Sequence, residues 1–485
     1  MTSLSLVRSS PPSGARKLRD LPGPRAWPLL GNLPQVDVPH MHAQLENWAD
    51  SYGPLYRIRL GPQSMLVVSR TETIAGMLRN RPEGWRRMQK MRDAIREAGS
   101  HGLFTAEGEE WRRQRKLVMA AFDPGHLKRY FGSMVQVTER LRLRLAAAAR
   151  SGEAVDLQTI LMRYTVDITT GLAFGIDLNT QQHPDHPLQG HLNTMFPMLM
   201  RRLNAPFPWW RYVRLPSDRA FDRHLAHIHA AVRGFVQAAR ERMERDPDRR
   251  TQPENLLEAL IAARDEAGAG LGEEELLGNV LTVLLAGEDT TANTLCWLLY
   301  LLHANREAWN ELVEEVDAAM GGATVPGDFD TARQFDVIER CANEAMRLRP
   351  VAPIVFMENP APTVLDGVRL PAGSTVICLM RKGAVDTRIA ADAEDFHPAR
   401  WRETPGEAAA IARGVLKASM PFGAGPRLCP GRYLAMLEIK MVMATLARNF
   451  ELIDVGTRDG APPQERLDFT MYPEGLKMKL APRPN

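Results

Sequence analysis

One cysteine in a glycine-rich loop restricts this chain more than any other feature. The loop runs from Phe422 to Gly431 with the sequence Phe-Gly-Ala-Gly-Pro-Arg-Leu-Cys-Pro-Gly, and a long apolar segment follows it. Glycines permit a tight backbone path, and the N-terminus of a helix supplies N–H donors that favour a thiolate. Arg427 adds a cation close by in sequence. The pattern predicts that Cys429 is held as a thiolate suited to binding iron at the start of a helix.

Two other interpretations of the loop compete with this one. A lone cysteine inside the cell is most often a small buried residue, here at the start of an ordinary helix. A dinucleotide-binding loop is the second alternative, because glycines stand at 423 and 425. It fails because the third glycine is misplaced and no preceding strand with a downstream acidic residue frames the loop.

Composition limits the class of protein. The 485 residues are 44% hydrophobic and 25% charged, which suits a folded chain of one large domain or a few average ones. The net charge of +3 comes without dense basic runs, so nucleic-acid binding is not expected. Arginine far outnumbers lysine, which favours a bacterial source. The four cysteines are too few and too scattered for a disulfide scaffold or a zinc module, and they predict a reducing compartment: Cys296, Cys341, Cys378 and Cys429.

The N-terminal 20 residues contain no apolar run long enough for a signal peptide or a membrane anchor. We expect residues 1–20 to form a mobile tail rich in serine and basic residues. A transit peptide to an organelle is the alternative, because the segment is nearly free of acids before Asp20. Glu288 and Asp289 interrupt the most apolar later segment, so no transmembrane anchor is expected. These features predict a soluble, cytoplasmic protein.

Helical periodicity dominates the rest of the chain. Tyr56, Ile58 and Leu60 alternate with arginines, and Gly61-Pro62 then turns the chain toward Val67, which predicts a hairpin. A further strand is expected at 375–378. The fold class we predict is mainly α with small β-sheets (α+β), in a single domain over 21–485. Long helices are expected around 109–122, 217–246, 274–303, 305–320, 334–349 and 431–450.

A second chemical motif lies in the apolar helix expected at 274–303. It reads Ala286-Gly287-Glu288-Asp289-Thr290-Thr291. A threonine hydroxyl can bond back to the helix backbone and glycine weakens the helix, so we expect a local bulge that admits water or dioxygen. The alternative is a simple helix kink satisfied by water.

Two shorter motifs are weak when taken alone. Glu344 and Arg347 are three residues apart on one helix face, a spacing that usually gives an exposed ion pair. Trp111 and Arg115 are one helical turn apart and share a face.

Together these motifs resemble the cytochrome P450 superfamily, in family order and over nearly the whole chain from Leu21 to Leu480. The cysteine loop meets every fixed position of the heme-binding pattern Phe-Gly-x-Gly-x-Arg-x-Cys-x-Gly. The resemblance implies a cytochrome P450 fold with heme between the oxygen-activation helix and the cysteine-bearing helix. The proline-rich segment 21–32 is also similar to that of membrane-associated members, so the resemblance leaves peripheral membrane contact open.

The resemblance also implies roles for individual residues. Cys429 is the axial ligand of the heme iron, and Asp289 and Thr290 deliver protons during oxygen activation. Glu344, Arg347 and Arg400 form a buried structural network, the last from the segment Phe396-His397-Pro398-Ala399-Arg400-Trp401. The remaining heme contacts are implied at Trp111, Arg115, Arg427 and Phe422, with Trp111, Arg115 and Arg427 on the propionates.

One departure from the family lies after Arg347. Many members carry a basic residue there that binds a heme propionate, whereas this chain has Met357 or one of its neighbours at that place. Apolar residues at the expected pocket positions imply a lipophilic substrate: Leu285, Ala286, Val351, Ile354, Val355, Phe356, Phe469 and Met471.

The activity implied is that of a heme-thiolate monooxygenase with heme b and O2, acting on a lipophilic small molecule. No flavin or iron–sulfur segment fits, so electrons from NAD(P)H are expected through a separate ferredoxin or flavodoxin with its reductase. We expect a monomer. A peroxide-driven heme peroxygenase is one alternative, and a non-catalytic heme protein that senses or carries a ligand is another.

Overall fold

The computed structural model describes residues 15–122, 124–183, 185–205, 207–265, 272–402 and 414–483. Helices dominate and four small β-sheets flank them, which confirms the predicted α+β class. In chain order the helices are α1 (Met41–Tyr52), α2 (Thr71–Arg79), α3 (Gln89–Glu97), α4 (Gly108–Ala121), α5 (Pro124–Ser151), α6 (Leu157–Phe174), α7 (Pro187–Asn204), α8 (Pro216–Arg245), α9 (Leu256–Asp265), α10 (Glu273–Ala304), α11 (Arg306–Met320), α12 (Phe329–Arg333), α13 (Asp336–Leu348) and α14 (Arg432–Asn449).

All six helices expected from the sequence are present, as α4, α8, α10, α11, α13 and α14, and their ends lie within two residues of the predicted ones. The strands are β1 (Arg16–Lys17), β2 (Leu55–Leu60), β3 (Gln63–Val68), β4 (Arg86–Arg87), β5 (Val155–Asp156), β6 (Ile354–Glu358), β7 (Thr363–Leu365), β8 (Val368–Leu370), β9 (Thr375–Leu379), β10 (Phe450–Gly456), β11 (Glu465–Leu467), β12 (Met471–Pro473) and β13 (Lys477–Pro482).

The largest sheet has five strands in the order β2-β3-β9-β6-β4. The predicted hairpin forms its β2–β3 edge, where Gly61 turns the chain with a φ of 60°. The strand predicted at 375–378 is β9, which pairs in parallel with β3 and antiparallel with β6. The two faces of this sheet pack into separate apolar clusters, one that includes Ala424 of the cysteine loop and one that includes Leu45 of α1.

Helix α10 runs through the largest apolar core and packs against α6, α8, α13 and α14. Three glutamates occupy its first turn, where the positive end of the helix dipole favours acids, and Glu275 accepts a bond from the Gly272 N–H at 2.9 Å. Its middle is buried almost all round, and α14 carries the cysteine loop at its N-terminus. These two helices position the motifs singled out above.

The boundary expected for the N-terminal tail is wrong in part. Residues 16 and 17 form β1, which pairs in parallel with Val368 and Arg369 of β8, and a 3₁₀ turn over Leu18–Asp20 follows. Backbone hydrogen bonds to β8 hold residues 16 and 17 in place, and the polar composition of the segment does not predict this pairing. The rest of the expected tail, residues 1–14, lies outside the described residues.

Candidate active site

The cysteine loop (residues 422–431) closes on itself ahead of α14. The Cys429 N–H donates to the carbonyl oxygen of Phe422 at 3.0 Å. Gly425 has a φ of 69°, and a Cβ at that position would lie 2.6 Å from Arg79 Cα and 2.7 Å from the carbonyl oxygen of Leu78. Only glycine therefore lets the loop pack this tightly against the end of α2.

The surroundings of the sulfur differ from the sequence-based expectation. Burial raises the pKa of the Cys429 thiol above its usual value, while the Gly431 N–H, Arg115 and Arg432 act in the opposite direction. Arg427, expected beside the sulfur, instead forms an ion pair with Glu107 because a buried guanidinium needs a carboxylate. Burial outweighs these three groups, so the net shift of the Cys429 pKa is upward.

Trp111 and Arg115 lie beside the cysteine loop. Arg115 donates to the carbonyl oxygen of Leu428 at 2.6 Å. The Arg427 guanidinium carbon is 4.8 Å from the centre of the Trp111 ring. The two predicted groups and Arg427 therefore meet on one side of the loop.

A cluster of arginines surrounds Glu107 at the N-terminus of α4, and the sequence analysis missed most of it. We call it the arginine cluster; its members are Arg81, Arg87, Arg92 and Arg427. Glu107 attracts Arg81, Arg87 and Arg427, whereas Arg81 and Arg92 repel both Arg87 and Arg427. Burial lowers the pKa of Arg427 to about 10. The Nε atoms of Arg81, Arg92 and Arg427 are buried without a hydrogen-bond partner among the described residues. One carboxylate does not neutralise four guanidinium groups.

The cysteine loop and the arginine cluster fit a heme. The loop offers one sulfur for an axial iron ligand, and the cluster offers unpaired N–H donors with excess positive charge for the two propionates. No short motif encodes the cluster, because three of its members precede α4 and the fourth comes from the cysteine loop.

The acid–threonine motif lies in the middle of α10. The Thr290 hydroxyl donates to the carbonyl oxygen of Ala286 at 2.9 Å, which is the back-bonding expected of it. No π-helical turn interrupts α10, which is a continuous α-helix from Glu273 to Ala304. Gly287 serves packing instead: a Cβ there would lie 2.4 Å from Thr169 Oγ1 of α6. Ala286 is exposed, and its neighbours Leu285 and Gly287 are half-buried.

Asp289 is buried and hydrogen bonded away from Thr290. Its carboxylate accepts from the Asn293 amide at 3.0 Å and from the Thr470 hydroxyl. Burial raises the pKa of Asp289, and these two donors partly offset that rise. Asp289 and Thr290 are therefore adjacent in the chain, but their side chains have different hydrogen-bond partners.

Glu288 is a second buried acid that the sequence analysis did not single out. Its side chain is fully buried and accepts from the Gln189 amide of α7 at 2.5 Å. Burial and the neighbouring Asp289 raise the pKa of Glu288 to about 8. On α14, Glu438 accepts a hydrogen bond from the Thr291 hydroxyl, which joins the cysteine-bearing helix to the motif on α10.

Glu344, Arg347 and Arg400 meet in the protein interior. Arg347 donates to both carboxylate oxygens of Glu344, at 2.8 and 2.7 Å, and Arg400 donates to one of them at 3.2 Å. The indole N–H of Trp401 donates to the other at 2.8 Å. Arg347 also binds the carbonyl oxygens of Ala384, Ala393 and Asp395, so the pair ties α13 to the segment that leads to the cysteine loop.

The proposed pocket residues do not all face one space. Ile354 and Phe356 pack toward α1, whereas Val355 between them points to the opposite face of the sheet. Naming three consecutive strand residues for one pocket was wrong, because alternate side chains of a strand point to opposite faces. Met471 is fully buried against Trp297 and belongs to the core.

The remaining pocket residues are better placed. The ring centres of Phe469 and Phe104 lie 6.2 Å apart. Both residues, like Leu285, are partly buried against the largest core, and Phe104 was not identified from the sequence. Val351 accepts a backbone bond from Met471 at 2.8 Å, which fixes the loop that carries Phe469. Phe104 and Phe469 are therefore apolar candidates that lie together, and Leu285 adjoins Ala286 on α10.

Comparison with known families supplies the decisive observation. The family model for cytochrome P450 matches residues 21–480. The chain belongs to the cytochrome P450 family. Membership makes it a heme-containing monooxygenase, an oxidoreductase. Among the described residues of this P450, no helix combines the length and the apolar composition that crossing a membrane requires.

Three relatives illustrate the range of the similarity. The chain is 29% identical to pentalenene oxygenase of Streptomyces avermitilis, over 95% of this chain and 97% of the relative. It is 26% identical to the chloroplastic carotene epsilon-monooxygenase of Arabidopsis thaliana, over 90% of this chain and 81% of the relative. A self-sufficient cytochrome P450 monooxygenase of Oidiodendron maius is 28% identical, over 89% of this chain but only 39% of its own length.

Proposed function

We propose that this P450 inserts one oxygen atom from O2 into a C–H or C=C bond of a lipophilic small molecule. The observation that carries the proposal is the stretch of α10 in which Asp289 and Thr290 follow an exposed Ala286 and a half-buried Leu285. An acid, a hydroxyl and an apolar surface thus lie within residues 285–290 of one helix. Proton delivery and the binding of an apolar substrate require such a combination.

The heme would be held by the cysteine loop and by α4. Cys429 Sγ is the iron ligand, with the loop shaped by Gly425 and closed at Phe422. Trp111, Arg115 and Arg427 supply N–H donors for the propionates. When bound as heme b, the group supplies the activation of O2 with two electrons, and the thiolate favours O–O cleavage.

Asp289 and Thr290 are the groups that hold and move protons. Burial raises the pKa of the Asp289 carboxyl, so this group keeps a proton to higher pH than an exposed aspartic acid does. Thr290 Oγ1, held by the Ala286 carbonyl, presents a hydroxyl that can pass a proton or orient a water molecule. Glu344, Arg347 and Arg400 act only on the structure, by fixing the approach to the cysteine loop.

Apolar isoprenoid hydrocarbons are the substrate class we favour among terpenoids, fatty acids, steroids and polyketide-like molecules. Two relatives are named for pentalenene and carotene, which are both hydrocarbons. The phenyl rings of Phe104 and Phe469 and the side chain of Leu285 offer apolar contact, and the Arg87 guanidinium stacks on the Phe104 ring.

The electrons would come from NAD(P)H through a separate ferredoxin or flavodoxin and its reductase. We also propose that the P450 acts as a cytoplasmic monomer.

The test is isotope labelling with purified protein, a plant-type ferredoxin with its reductase, NADPH and ¹⁸O2. Pentalenene, lauric acid and a steroid are supplied in parallel. One ¹⁸O atom per product molecule, with pentalenene the best substrate, is the expected result. Equal product from hydrogen peroxide without the reductase would identify a peroxygenase instead, and binding without product from any source would identify a ligand carrier.

A further inference from the structure

Three histidine rings meet where α7 packs against α8. His191 lies near the N-terminus of α7, and His224 and His227 lie one turn apart on α8. The Nδ1 atoms of His191 and His224 are 2.9 Å apart, and both side chains are half-buried. The ring of His227 stacks on that of His191, with the ring centres 4.5 Å apart. None of the three belongs to the site described above.

The contact between His191 and His224 brings together two groups that can bind a metal ion. A hydrogen bond between neutral imidazoles uses the proton of one ring and the lone pair of the other. If that proton moves to the far nitrogen of its own ring, both Nδ1 atoms present lone pairs to the same point. Among the described residues, no cysteine, aspartate or glutamate joins the histidines to complete a set of three ligands.

The orientation of the two rings suits one shared ion. An ion bound to an imidazole nitrogen lies close to the plane of that ring. The planes of His191 and His224 cross at 64°, so they share a line on which one ion can lie. Two Zn–N bonds of about 2.0–2.1 Å at a tetrahedral angle hold their nitrogens about 3.4 Å apart, so the pair needs to open by about half an ångström.

His227 orients this pair and does not act as a third ligand. Its ring is parallel to that of His191 within 3°. Parallel planes do not cross, so these two rings cannot hold the same ion in this arrangement. Stacking instead restricts rotation of the His191 ring and keeps its Nδ1 atom directed at His224. Water molecules would fill the other positions around an ion held by the two remaining rings.

The donor atoms select the class of ion. Imidazole nitrogens suit zinc, copper and nickel, whereas Mg²⁺ and Ca²⁺ prefer oxygen ligands. An unperturbed histidine has a pKa of about 6.5, so its lone pairs are available above neutral pH.

We propose that His191 and His224 bind one Zn²⁺ or a related transition-metal ion and that this ion joins α7 to α8. The link would lie two residues from Gln189, whose amide binds the buried Glu288 of α10 at 2.5 Å. A bound ion would therefore also hold in place the part of α7 that contacts the motif on α10. The inference goes beyond the proposed function and does not rest on it, because the heme ligands come from other segments.

The experiment is a calorimetric titration of the purified, tag-free holoprotein with zinc sulfate, after treatment with a chelator and its removal. The parent should bind one ion per chain at this site. Loss of a group that merely supports a metal ligand costs about 10–100-fold in affinity, so His191→Gln and His224→Gln should each weaken binding about tenfold or more. Magnesium chloride should give no such binding, because Mg²⁺ prefers oxygen ligands.

His183→Gln is the matched control, because it removes an exposed histidine from the segment before α7 and leaves the pair intact. It should bind zinc like the parent. So should His227→Phe, which keeps a flat ring beside His191 without a ligand nitrogen. Loss of zinc binding in His227→Phe would contradict the assignment of two ligands.

The stability of the same proteins is the second readout. Heme absorption and the Tm without zinc establish that each variant is folded, and the two pair variants alter different helices, so either one tests the site. Zinc should raise the Tm of the parent, because an ion that binds only the folded chain stabilises it, and should not raise that of His224→Gln. A parent that binds no zinc, or equal binding by the parent and the pair variants, would overturn the proposal.

Discussion

Thr470 donates its hydroxyl to the buried Asp289 carboxylate, although the two residues lie 181 positions apart in the chain. Asn293 binds both groups, at 3.0 Å to Asp289 and 2.9 Å to Thr470. Thr470 stands between Phe469 and Met471 in the loop that joins β11 to β12. The proposed proton donor is therefore fixed by a loop that also borders the proposed substrate pocket.

Removing the Thr470 hydroxyl should raise the pKa of Asp289. Burial already raises it, and the Thr470 bond is the largest effect in the opposite direction. In Thr470→Val the carboxyl should therefore stay protonated to higher pH, as seen by infrared titration of its C=O stretch against an Asp289→Asn background. Thr470→Ser keeps the donor and should titrate like the parent. Identical titrations for the valine and serine variants would show that this bond does not control the acid.

Glu288 should make stability fall with rising pH. Its pKa is raised from 4.5 to about 8, chiefly by burial. Below pH 4.5 Glu288 is protonated in both the folded and the unfolded chain, and its contribution to the free energy of unfolding is fully present. Between pH 4.5 and about pH 8 this contribution is lost progressively, because the carboxyl ionises in the unfolded chain but stays protonated in the folded one. Glu288→Gln removes the titration, so its Tm relative to the parent should rise between pH 5 and pH 8 by about 2 °C or more. A constant difference in Tm across this range would contradict the assignment.

Glu344→Ala should yield little heme-loaded protein. The change strands two buried guanidinium groups, a loss of about 3–5 kcal/mol for a buried pair. The matched control is Glu139→Ala on α5, where Arg142 also lies three residues away but both side chains are partly exposed. Loss of that pair should cost less than about 1 kcal/mol. The ratio of heme to protein after purification is the measurement, and a normal ratio in Glu344→Ala would remove the network from the account.

Gly425→Ala should disrupt the cysteine loop much more than Gly423→Ala. Both glycines have a positive φ, so alanine costs about 1–2 kcal/mol at either position. At Gly425 the added carbon would also collide with backbone atoms of Leu78 and Arg79, whereas at Gly423 nothing lies within 4 Å. Heme content and Tm of the two variants should differ clearly. Equal losses would mean that conformation alone, and not the contact with α2, requires glycine at 425.

Local patterns predicted the elements that hold the site. Periodicity located α4, α10 and α14 within two residues, and glycine spacing identified the cysteine loop. Helix α6 was not predicted. Its residues 164–170 are all buried, so the helix does not show the pattern of one apolar face and one polar face that identifies a surface helix in a sequence.

Contacts between segments that are far apart in the chain could not be predicted from the sequence. The Thr470–Asp289 bond, the pairing of Arg87 with Met357 and the gathering of arginines around Glu107 each depend on how the chain returns to itself. The position of Arg427 was mistaken for the same reason, because its carboxylate partner comes from the start of α4.

The most direct test of the account is the absorption spectrum of the dithionite-reduced protein with carbon monoxide, beside a Cys429→Ser control. The account predicts a strongly red-shifted Soret band in the parent, which is diagnostic of thiolate ligation, and its loss in the control. A band at the unshifted position in the parent, or a shifted band that survives in Cys429→Ser, would contradict the assignment of Cys429 as the iron ligand.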